Sequence, residues 1–340
     1  MIYSSSYIWA GFKYNNPYKY VTFQSVFFVL GIILMILFSK IDVSLYKKYS
    51  NKFLFVCFVL LILVLIPGIG SVRNGSRSWF GIMGLGFQPS ELSKIALIIF
   101  TSKYLSNNDR IKRNPFKFMA PVLFVIMIFF GLLMLEPDFG TGMVTVMSLI
   151  GLIFVSGTDV SIFIKLGGLG VIGIVILILI APYRMDRITS FLNPWSDPLG
   201  SGFQMIQSLY AIGPGGLLGF GFLNSRQKHF YLPEPQTDFI FSIISEEFGF
   251  VGDALLIMLF IMLFYNIIKK AIDTEDLFSK YLIFGLAFLM MFQTLLNLSV
   301  VVGLIPITGV TLPFISYGGS SLLVSMISIG IILNVREKIK

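Results

Sequence analysis

Long apolar runs separated by short polar segments extend along the whole chain. The runs are rich in Leu, Ile and Phe and lack the two-residue alternation of a membrane barrel strand. A helix needs about 20 such residues to cross the hydrocarbon core, and shorter runs cross where flanking polar side chains reach the interface. The pattern predicts nine spanning helices, at residues 21–39, 53–67, 90–104, 118–135, 141–157, 161–181, 240–268, 281–303 and 313–335.

The amino-acid composition agrees with lipid as the main solvent. Hydrophobic residues make up 56% of the 340 positions and charged residues 12%, against about 45–50% and about 25% in soluble domains. We therefore predict an all-α, polytopic transmembrane helix bundle that forms a single integral membrane domain over residues 1–340. The net charge of +8 is then explained by basic loops that face anionic lipid, and no nucleic acid partner is needed.

Basic residues are divided unequally between alternate loops. One set of loops, which includes the C-terminus, holds sixteen of the 25 Lys and Arg residues; the other set holds eight, and Lys94 lies inside a predicted span. The positive-inside rule makes the richer set cytoplasmic. Nine spans then place the N-terminus and the one large loop, residues 182–237, outside the cell.

The loop 182–237 is far longer than the ~15 residues beyond which a connection without structure becomes uncommon. Its segment GFQMIQSLYAIG (202–213) fits an amphipathic helix at the membrane interface. Its glycine-rich segment IGPGGLLGFG (212–221) matches neither GxGxxG nor a P-loop, so a turn is favoured over a phosphate cradle. We expect any active site in this loop and its flanks.

Asp238 lies where the large loop meets the next apolar span, in the segment YLPEPQTDFIF. Pro233 and Pro235 stiffen the approach. A carboxylate at the membrane edge beside a substrate cavity suits a general base. An Asp just before a helix equally suits an N-cap, although Thr237 offers an alternative cap. Position alone favours the cap slightly.

Further ionisable residues lie within the predicted spans, where they are usually functional or paired. Glu246 and Glu247 follow Asp238 by about two helical turns, so a helix that starts near Asp238 would bring Glu246 close to its face. Glu91 and Lys94 have the i, i+3 spacing of an internal ion pair. A buried pair is favoured over a polar cavity wall there.

The predicted outer loops also carry bases and an irregular segment. Arginine binds phosphate oxygens through two parallel hydrogen bonds, so these bases suit either a pyrophosphate-linked lipid or plain lipid headgroups. The segment GLIPITGVTLPFISYGGSS (303–321) breaks an apolar region with prolines and glycines. Irregular backbone at membrane depth is tolerated only against protein or a wet cavity, so this segment is predicted to line such a cavity.

Several segments resemble the FtsW/RodA/SpoVE (SEDS) family, over essentially the whole chain. Asn297, Gly303, Pro306, Gly309 and ISYGGSS resemble the family signature, and NSRQKHFYLPEPQTDFIFSIISEEFGFVG resembles the family's segment after its large external loop. Three further matches occur in the family's order: NGSRSWFGIMGLGFQPSELSK, EPDFGTGMV and YRMDRITSFLNP. NSRQKHFYLPEPQTDF and TGVTLPF are closer to the FtsW/SpoVE branch.

The resemblance implies an inverting peptidoglycan glycosyltransferase that polymerises lipid II on the outer face of the cytoplasmic membrane, in division or sporulation, beside a class B penicillin-binding transpeptidase. Asp238 falls on the family's catalytic aspartate. The candidate substrate-binding residues are Arg77, Trp79, Arg184, Arg187, Arg226 and Lys228. The candidate cavity or support residues are Glu91, Lys94, Glu246, Glu247, Ser316, Gly318 and Gly319. A lipid II flippase and a non-enzymatic division or sporulation scaffold are the alternatives.

Two expectations concern cofactors and the N-terminus. The sequence indicates no definite cofactor, and a divalent cation at the leaving pyrophosphate is an open alternative. With one His and one Cys, the chain has no zinc-site pattern. Family members usually have ten helices and a cytoplasmic N-terminus, whereas MIYSSSYIWAGFKY resembles the outer end of the family's first helix and the segment after that helix. The first helix is therefore predicted to be missing here.

Overall fold

The computed structural model describes residues 1–73, 75–82, 85–107, 115–180, 185 and 189–335. Three short antiparallel strands lie between the third and fourth helices: β1 Ser71–Arg73, β2 Ser76–Ile82 and β3 Leu85–Phe87, in the order β1-β2-β3. The helices are α1 Ile2–Tyr14, α2 Lys19–Phe38, α3 Val43–Leu65, α4 Pro89–Asn107, α5 Pro115–Leu135, α6 Phe139–Val155, α7 Val160–Ile180, α8 Phe203–Ile212, α9 Ile240–Asp273, α10 Leu277–Val301 and α11 Gly319–Asn334.

The predicted helix bundle is confirmed, and each predicted span falls on a helix. Within the described residues, five helices are long and apolar enough to cross a membrane, and three shorter ones are strongly apolar. Many apolar side chains on α2 and α9 are exposed, for example Val29 and Ile261. Such surfaces suit contact with lipid rather than water. The chain is therefore a multi-pass membrane protein.

Three details differ from the sequence prediction. The last helix begins at Gly319 instead of residue 313, because Phe314 has a positive φ angle that an α-helix does not contain. Helix α1 was not among the predicted spans, since its buried face is formed largely by serines. The sheet was not predicted either, although Asn-Gly at positions 74 and 75 is a sequence signal for a hairpin.

One compact unit comprises Phe27–Ile164, Phe264–Phe292 and Gly319–Lys340. Its central helix is the largely buried α4, which packs against α3, α5, α6 and α11. Glycines allow close helix contacts in this unit: a Cβ added at Gly285 would lie 2.5 Å from Ile98 Cγ2, and one at Gly330 would lie 2.4 Å from the carbonyl oxygen of Met35. Small residues have this role in membrane helix packing generally.

One end of the same unit gathers three of the predicted cytoplasmic segments. Asn334, at the end of α11, donates to the carbonyl oxygens of Phe38 and Ile41 in the α2–α3 connection. The Lys47 ammonium lies 5.6 Å from the ring centre of Phe278, at the start of α10. These segments enclose a cavity of about 830 Å³. Segments that the basic residues assign to one side of the membrane thus share one end of this unit.

The other compact unit comprises Met1–Val26, Lys165–Leu263 and Gln293–Gly318. It contains α1, α8, the first part of α9 and the irregular segment before α11. The predicted amphipathic helix is confirmed as α8. Its Ser208 hydroxyl lies 2.8 Å from that of Ser242 on α9 and donates to the carbonyl oxygen of Val301 at 2.7 Å. Helix α8 is therefore bonded to both α9 and the end of α10.

The glycine-rich segment 213–221 packs against a bend in α9. The bend is at Gly249, with φ 60° and ψ −162°, a conformation that is essentially limited to glycine. The amide nitrogens of Phe220 and Gly221 donate to the carbonyl oxygens of Glu246 and Glu247, both at 2.9 Å. These amides bind the helix and are not available to a phosphate, which agrees with the preference for a turn over a phosphate cradle. The packing of the segment against α9 was not predicted.

Candidate active site

Asp238 lies half-buried at the junction between the large loop and α9. The helix begins at Ile240, so Asp238 stands one position ahead of the residue that normally caps a helix. The Thr237 hydroxyl lies 2.7 Å from Asp238 Oδ1 and 2.8 Å from the carbonyl oxygen of Glu234, and its single proton serves one of them at a time. The carboxylate is therefore partly accessible and has an adjacent hydroxyl donor.

The main chain around Asp238 is held from two directions. The side-chain amide of Asn297 on α10 donates to the carbonyl oxygen of Asp238 at 2.7 Å. The amide nitrogen of Tyr317 donates to the carbonyl oxygen of Gln236 at 2.8 Å. Both donors come from regions far away in the chain. The backbone that carries the candidate base is thus fixed by tertiary contacts.

Two buried carboxylates hold the start of the segment that leads to Asp238. Glu246 accepts hydrogen bonds from the Ser225 hydroxyl at 2.5 Å and from the Arg226 amide nitrogen at 2.8 Å. Glu247 forms an ion pair with Lys228 at 2.8 Å and accepts a hydrogen bond from the Ser4 hydroxyl at 2.5 Å. We call this the carboxylate clasp. The contacts of Glu246 and Glu247 are thus structural ones, and a support role for both stays the prediction.

Glu246 was predicted to lie on the helical face of Asp238, on the assumption that the helix starts near Asp238. Because α9 begins at Ile240, Asp238 is not on the helix and has no helical face. What the two positions share is the chain between Ser225 and Asp238, which Glu246 binds at one end. The connection is through the backbone.

Lys228 was predicted as a phosphate ligand, and the structure contradicts this role. Its side chain has no exposed surface, and its ammonium contacts Glu247 and, at 3.2 Å, the Ser4 hydroxyl. An ammonium in a buried ion pair can bind a ligand only if that pair is broken, and breaking a buried pair is strongly unfavourable. Lys228 therefore belongs to the carboxylate clasp.

Arg226 is the predicted phosphate ligand that remains available in this unit. It is exposed, and its guanidinium lies 4.7 Å from the ring centre of Phe220. Stacking on an aromatic ring orders the guanidinium and leaves its N–H groups free to bind an anion. Arg184 and Arg187 lie outside the described residues.

The predicted residues before α4 lie in the other unit and are described by themselves. Arg77 and Trp79 are on β2, paired with Val72 and Ser71 of β1. The Arg73 guanidinium lies 5.1 Å from the ring centre of Trp79. The sheet thus fixes both predicted residues on a short, rigid strand.

The predicted Glu91–Lys94 pair is confirmed. Lys94 Nζ lies 2.7 Å from Glu91 Oε1, and both side chains are almost completely buried. Near the start of the same helix, the Gln88 side chain donates to Asp138 at 2.9 Å. Asp138 caps α6 by accepting from the Thr141 amide nitrogen at 3.1 Å. The ion pair and these hydrogen bonds bind part of the buried polar groups of this bundle, whereas Glu91 Oε2 and both carboxylate oxygens of Glu136 have no hydrogen-bond partner among the described residues.

Ser316 and Gly318 belong to the segment that holds Gln236. The Ser316 hydroxyl accepts from the Leu312 amide nitrogen at 2.8 Å. The Gln24 side chain donates to the carbonyl oxygen of Ser316 and accepts from the Gly318 amide nitrogen, both at 3.2 Å. Gly319 opens α11 in the other unit, where a Cβ would lie 2.4 Å from the Phe27 ring. The contacts at all three positions are structural ones, in line with the predicted support roles.

A divalent cation at the leaving pyrophosphate stays an open alternative. In the part of the chain that the structure describes, no group of three or more His, Cys, Asp or Glu side chains is arranged to hold a metal ion. Hard divalent cations are usually bound by several oxygen ligands. Among the described residues, the candidate site is therefore built on the Asp238 carboxylate and the groups that hold its backbone.

Comparison with known proteins gives a consistent picture. The sequence profile of the FtsW/RodA/SpoVE cell cycle proteins matches residues 1–340. Stage V sporulation protein E of Bacillus subtilis is 48% identical over 335 residues, covering 98% of this chain and 92% of the relative. The probable peptidoglycan glycosyltransferase FtsW of Coxiella burnetii is 40% identical over 339 residues, covering 98% and 91%.

Two solved structures are similar over most of their length. One is a chain from a structure of a peptidoglycan synthase complex that coordinates polymerization and crosslinking, with a TM-score of 0.80, 31% identity and coverage of 98% of this chain and 94% of that chain. The other is the rod shape determining protein RodA of Thermus thermophilus, with a TM-score of 0.70, 28% identity and coverage of 98% and 92%.

Proposed function

The chain belongs to the FtsW/RodA/SpoVE family, and from this premise we propose that it is a peptidoglycan glycosyltransferase that polymerises lipid II. The observation that carries the proposal is Asp238: a half-buried carboxylate at the edge of a membrane helix, on backbone held by Asn297 and Tyr317. A general base needs both partial access and a fixed position. The names of the relatives supply the reaction class.

The proposed reaction is a single displacement. The 4-hydroxyl of an incoming lipid II sugar attacks the anomeric carbon of the growing strand, which is attached to its lipid pyrophosphate. Asp238 accepts the hydroxyl proton while the bond from the anomeric carbon to the pyrophosphate oxygen breaks, and the anomeric centre is inverted. Pyrophosphate is a good leaving group, so a second carboxylic acid, as in glycosidases, is not required.

The leaving pyrophosphate needs positive charge near it. Arg226 is the candidate that the described residues support in the unit of Asp238, because it is exposed and ordered by Phe220. Arg184 and Arg187 in the large loop complete the proposed bases of this unit, and Arg77 and Trp79 on β2 stay predicted substrate-binding residues on the sequence evidence. Arginine suits this task because its planar group matches two phosphate oxygens at once.

We place the reaction on the outer face of the cytoplasmic membrane, beside a class B penicillin-binding transpeptidase and in division or sporulation. The distribution of basic residues supports an outer location for residues 182–237. The similar chain in a peptidoglycan synthase complex supports a crosslinking partner. A polymerase that faces the wall would deliver strands directly to such an enzyme.

Polymerisation of lipid II by the purified protein with its partner transpeptidase tests the function. We expect glycan polymer on gels when the transpeptidase active site is blocked, because polymerisation belongs to this chain. Movement of labelled lipid II across vesicles without polymer would support the flippase alternative. Neither activity would support the scaffold.

Cysteine labelling in intact cells tests the orientation. In a Cys57→Ser background, Leu199→Cys in the large loop should react with an impermeant maleimide, and Glu275→Cys between α9 and α10 should react only after the membrane is opened. Both native side chains are exposed, so access depends on the side of the membrane. The reverse pattern would overturn the outer location.

A further inference from the structure

Asn297 is a buried amide that connects Asp238 to the irregular segment before α11. From α10, its Nδ2 atom donates to the carbonyl oxygen of Asp238 and to that of Val310, each at 2.7 Å. The side chain is 1% exposed. A side-chain amide nitrogen has two protons, so both are used in binding main-chain carbonyls. One residue thereby fixes the distance between two separate pieces of backbone.

The far side of this connection is itself well ordered. Leu312 donates to the Ser316 hydroxyl, and Tyr317 donates to the carbonyl oxygen of Gln236. Gln24 binds the same stretch at Ser316 and Gly318. Because these bonds anchor the segment 310–318, Asn297 ties Asp238 to a fixed point.

The chain that approaches Asp238 is not in a relaxed conformation. Phe230 and Glu234 have φ angles of 67° and 44°, in the left-handed region that residues other than glycine rarely adopt. Such conformations persist only where the surrounding structure determines them. The carboxylate clasp holds the start of this approach, and Asn297 and Tyr317 hold its end.

We propose that Asn297 is a positioning residue for Asp238, and this inference rests on the proposed function. The amide contacts the main-chain carbonyl of Asp238 and leaves the carboxylate to the reaction. Its contribution is to hold the base where the attacking hydroxyl arrives. A displacement of about 1 Å at a reacting group reduces turnover by about 10²-fold.

The test compares Asn297→Ala with Gln293→Ala in the polymerisation assay. Gln293 is a matched control: it lies one turn earlier on α10, is also buried, and donates to the carbonyl oxygen of Thr311 at 3.1 Å. Both variants release a bond to the same irregular segment, and Asn297→Ala also releases the bond to the carbonyl oxygen of Asp238. We expect kcat to fall about 10²-fold in Asn297→Ala with little change in KM, and to stay near wild type in Gln293→Ala.

A second variant weakens the hydrogen bonds to the carbonyl oxygens of Asp238 and Val310 without leaving a cavity. In Asn297→Asp the introduced carboxyl group has the same shape, donates one hydrogen bond when protonated and none when ionised. Its turnover relative to wild type should therefore fall as the pH rises. A ratio that is constant with pH, or equal kcat values for Asn297→Ala and Gln293→Ala, would overturn the inference.

The same assay separates this inference from the proposed function. Absence of polymer from the wild-type protein, or full turnover in Asp238→Asn, would contradict the function or the base. Wild-type turnover in Asn297→Ala, alongside an inactive Asp238→Asn, would contradict only the positioning role. Thermal midpoints of all variants in detergent show whether any loss of turnover is merely a loss of fold.

Discussion

Two aspartates precede two consecutive membrane helices in this chain, and their surroundings differ. Asp276 stands directly before α10, where its Oδ2 atom accepts from the Ser279 amide nitrogen at 2.9 Å and from the Ser279 hydroxyl at 2.6 Å. This is the bonding of a helix N-cap. Asp238 stands two residues before α9, and Asn297 binds its main-chain carbonyl. An aspartate just before a membrane helix is therefore an N-cap at position 276, and at position 238 it lies ahead of the cap position on backbone that another helix holds.

The difference lies in where the partners come from. The hydrogen-bond partner of Asp276 is three residues away on the helix that it caps. The main chain around Asp238 is held by Asn297 and Tyr317, which are 59 and 79 positions further along the chain. A cap needs only its own helix, whereas a reactive group that must meet a substrate needs supports from other elements. Long-range support is what distinguishes a candidate base from a cap.

Exchanging each aspartate for asparagine gives the largest expected difference between the two regions. Asn is nearly as good an N-cap as Asp but cannot accept the proton of the attacking hydroxyl. We therefore expect Asp238→Asn to lower turnover about 10²–10⁴-fold, the usual contribution of a general base, and Asp276→Asn to leave it near wild type. Polymer length and rate on gels, with the partner transpeptidase present, measure both.

Glu247→Gln is a further control in this experiment. The amide oxygen of the new side chain still accepts from Ser225 and Ser4, but the buried Lys228 ammonium loses its charge partner, so the thermal midpoint should fall. The turnover of the folded fraction should still fall less than in Asp238→Asn. Normal polymer from Asp238→Asn would mean that Asp238 only supports the helix end, and would favour the flippase or scaffold alternative.

The carboxylate clasp gives the next largest effect, this time on stability. Lys228→Met leaves the buried Glu247 carboxylate without its positive partner, which costs about 3–5 kcal/mol. We expect a large drop in the thermal midpoint of the detergent-solubilised protein, with loss of activity as a consequence of unfolding. The double variant Lys228→Met with Glu247→Gln should recover much of this stability, because no uncompensated charge remains.

The double variant also decides between the two roles of Lys228. If Lys228 bound phosphate, as the sequence predicted, Lys228→Met would lose activity at an unchanged thermal midpoint, and Glu247→Gln would not restore it. That result would contradict the structural role.

Local spacing allowed some of these features to be predicted, and long-range contacts prevented the rest. Glu91 and Lys94 were predicted to pair because side chains three positions apart on a helix are neighbours. Lys228 and Glu247 lie on a loop and a helix, and Ser4 joins them from the other end of the chain. No periodic pattern encodes such a contact. Lys228 therefore looked like a free surface base.

The same reason explains which parts of the fold were predicted and which were missed. Apolar runs locate helices well because a chain segment in lipid must satisfy its own backbone hydrogen bonds, which a helix does. The small sheet and α1 have no long apolar run that would mark them in the sequence. Only the Asn-Gly pair at positions 74 and 75 indicated the hairpin. Asp238 was located by its position at a span edge and by family resemblance. The Asn297 contact required the structure.

The bend in α9 supplies a prediction of intermediate size. A Cβ at Gly249 would lie 2.4 Å from the Gly219 amide nitrogen, in a backbone conformation that only glycine adopts easily. Gly249→Ala should therefore destabilise the protein by about 1–3 kcal/mol and displace the glycine-rich segment. Gly213→Ala is the control: its Cβ meets no atom within 4 Å and its φ is −56°, so its thermal midpoint should not fall. Equal midpoints for the two variants would contradict this account of the bend.

The smallest effect is expected at Asp276, and its dependence on pH completes the comparison. Burial by itself raises the pKa of this carboxyl, but the hydrogen bonds from Ser279 and the charge of Lys47 outweigh burial, so the pKa lies below its usual value. A carboxyl with a lowered folded-state pKa stabilises the fold above its unfolded pKa of about 3.9, and this stabilisation is lost as the pH falls through the folded value.

Asp276→Asn keeps the cap and removes the charge. The variant should therefore have a slightly lower thermal midpoint than wild type at pH 7, and the two midpoints should converge in acid. High salt should narrow the gap at pH 7, since it screens Lys47. A gap that stays constant from neutral to acidic pH would mean that the charge of Asp276 contributes nothing and that it caps α10 through its shape alone.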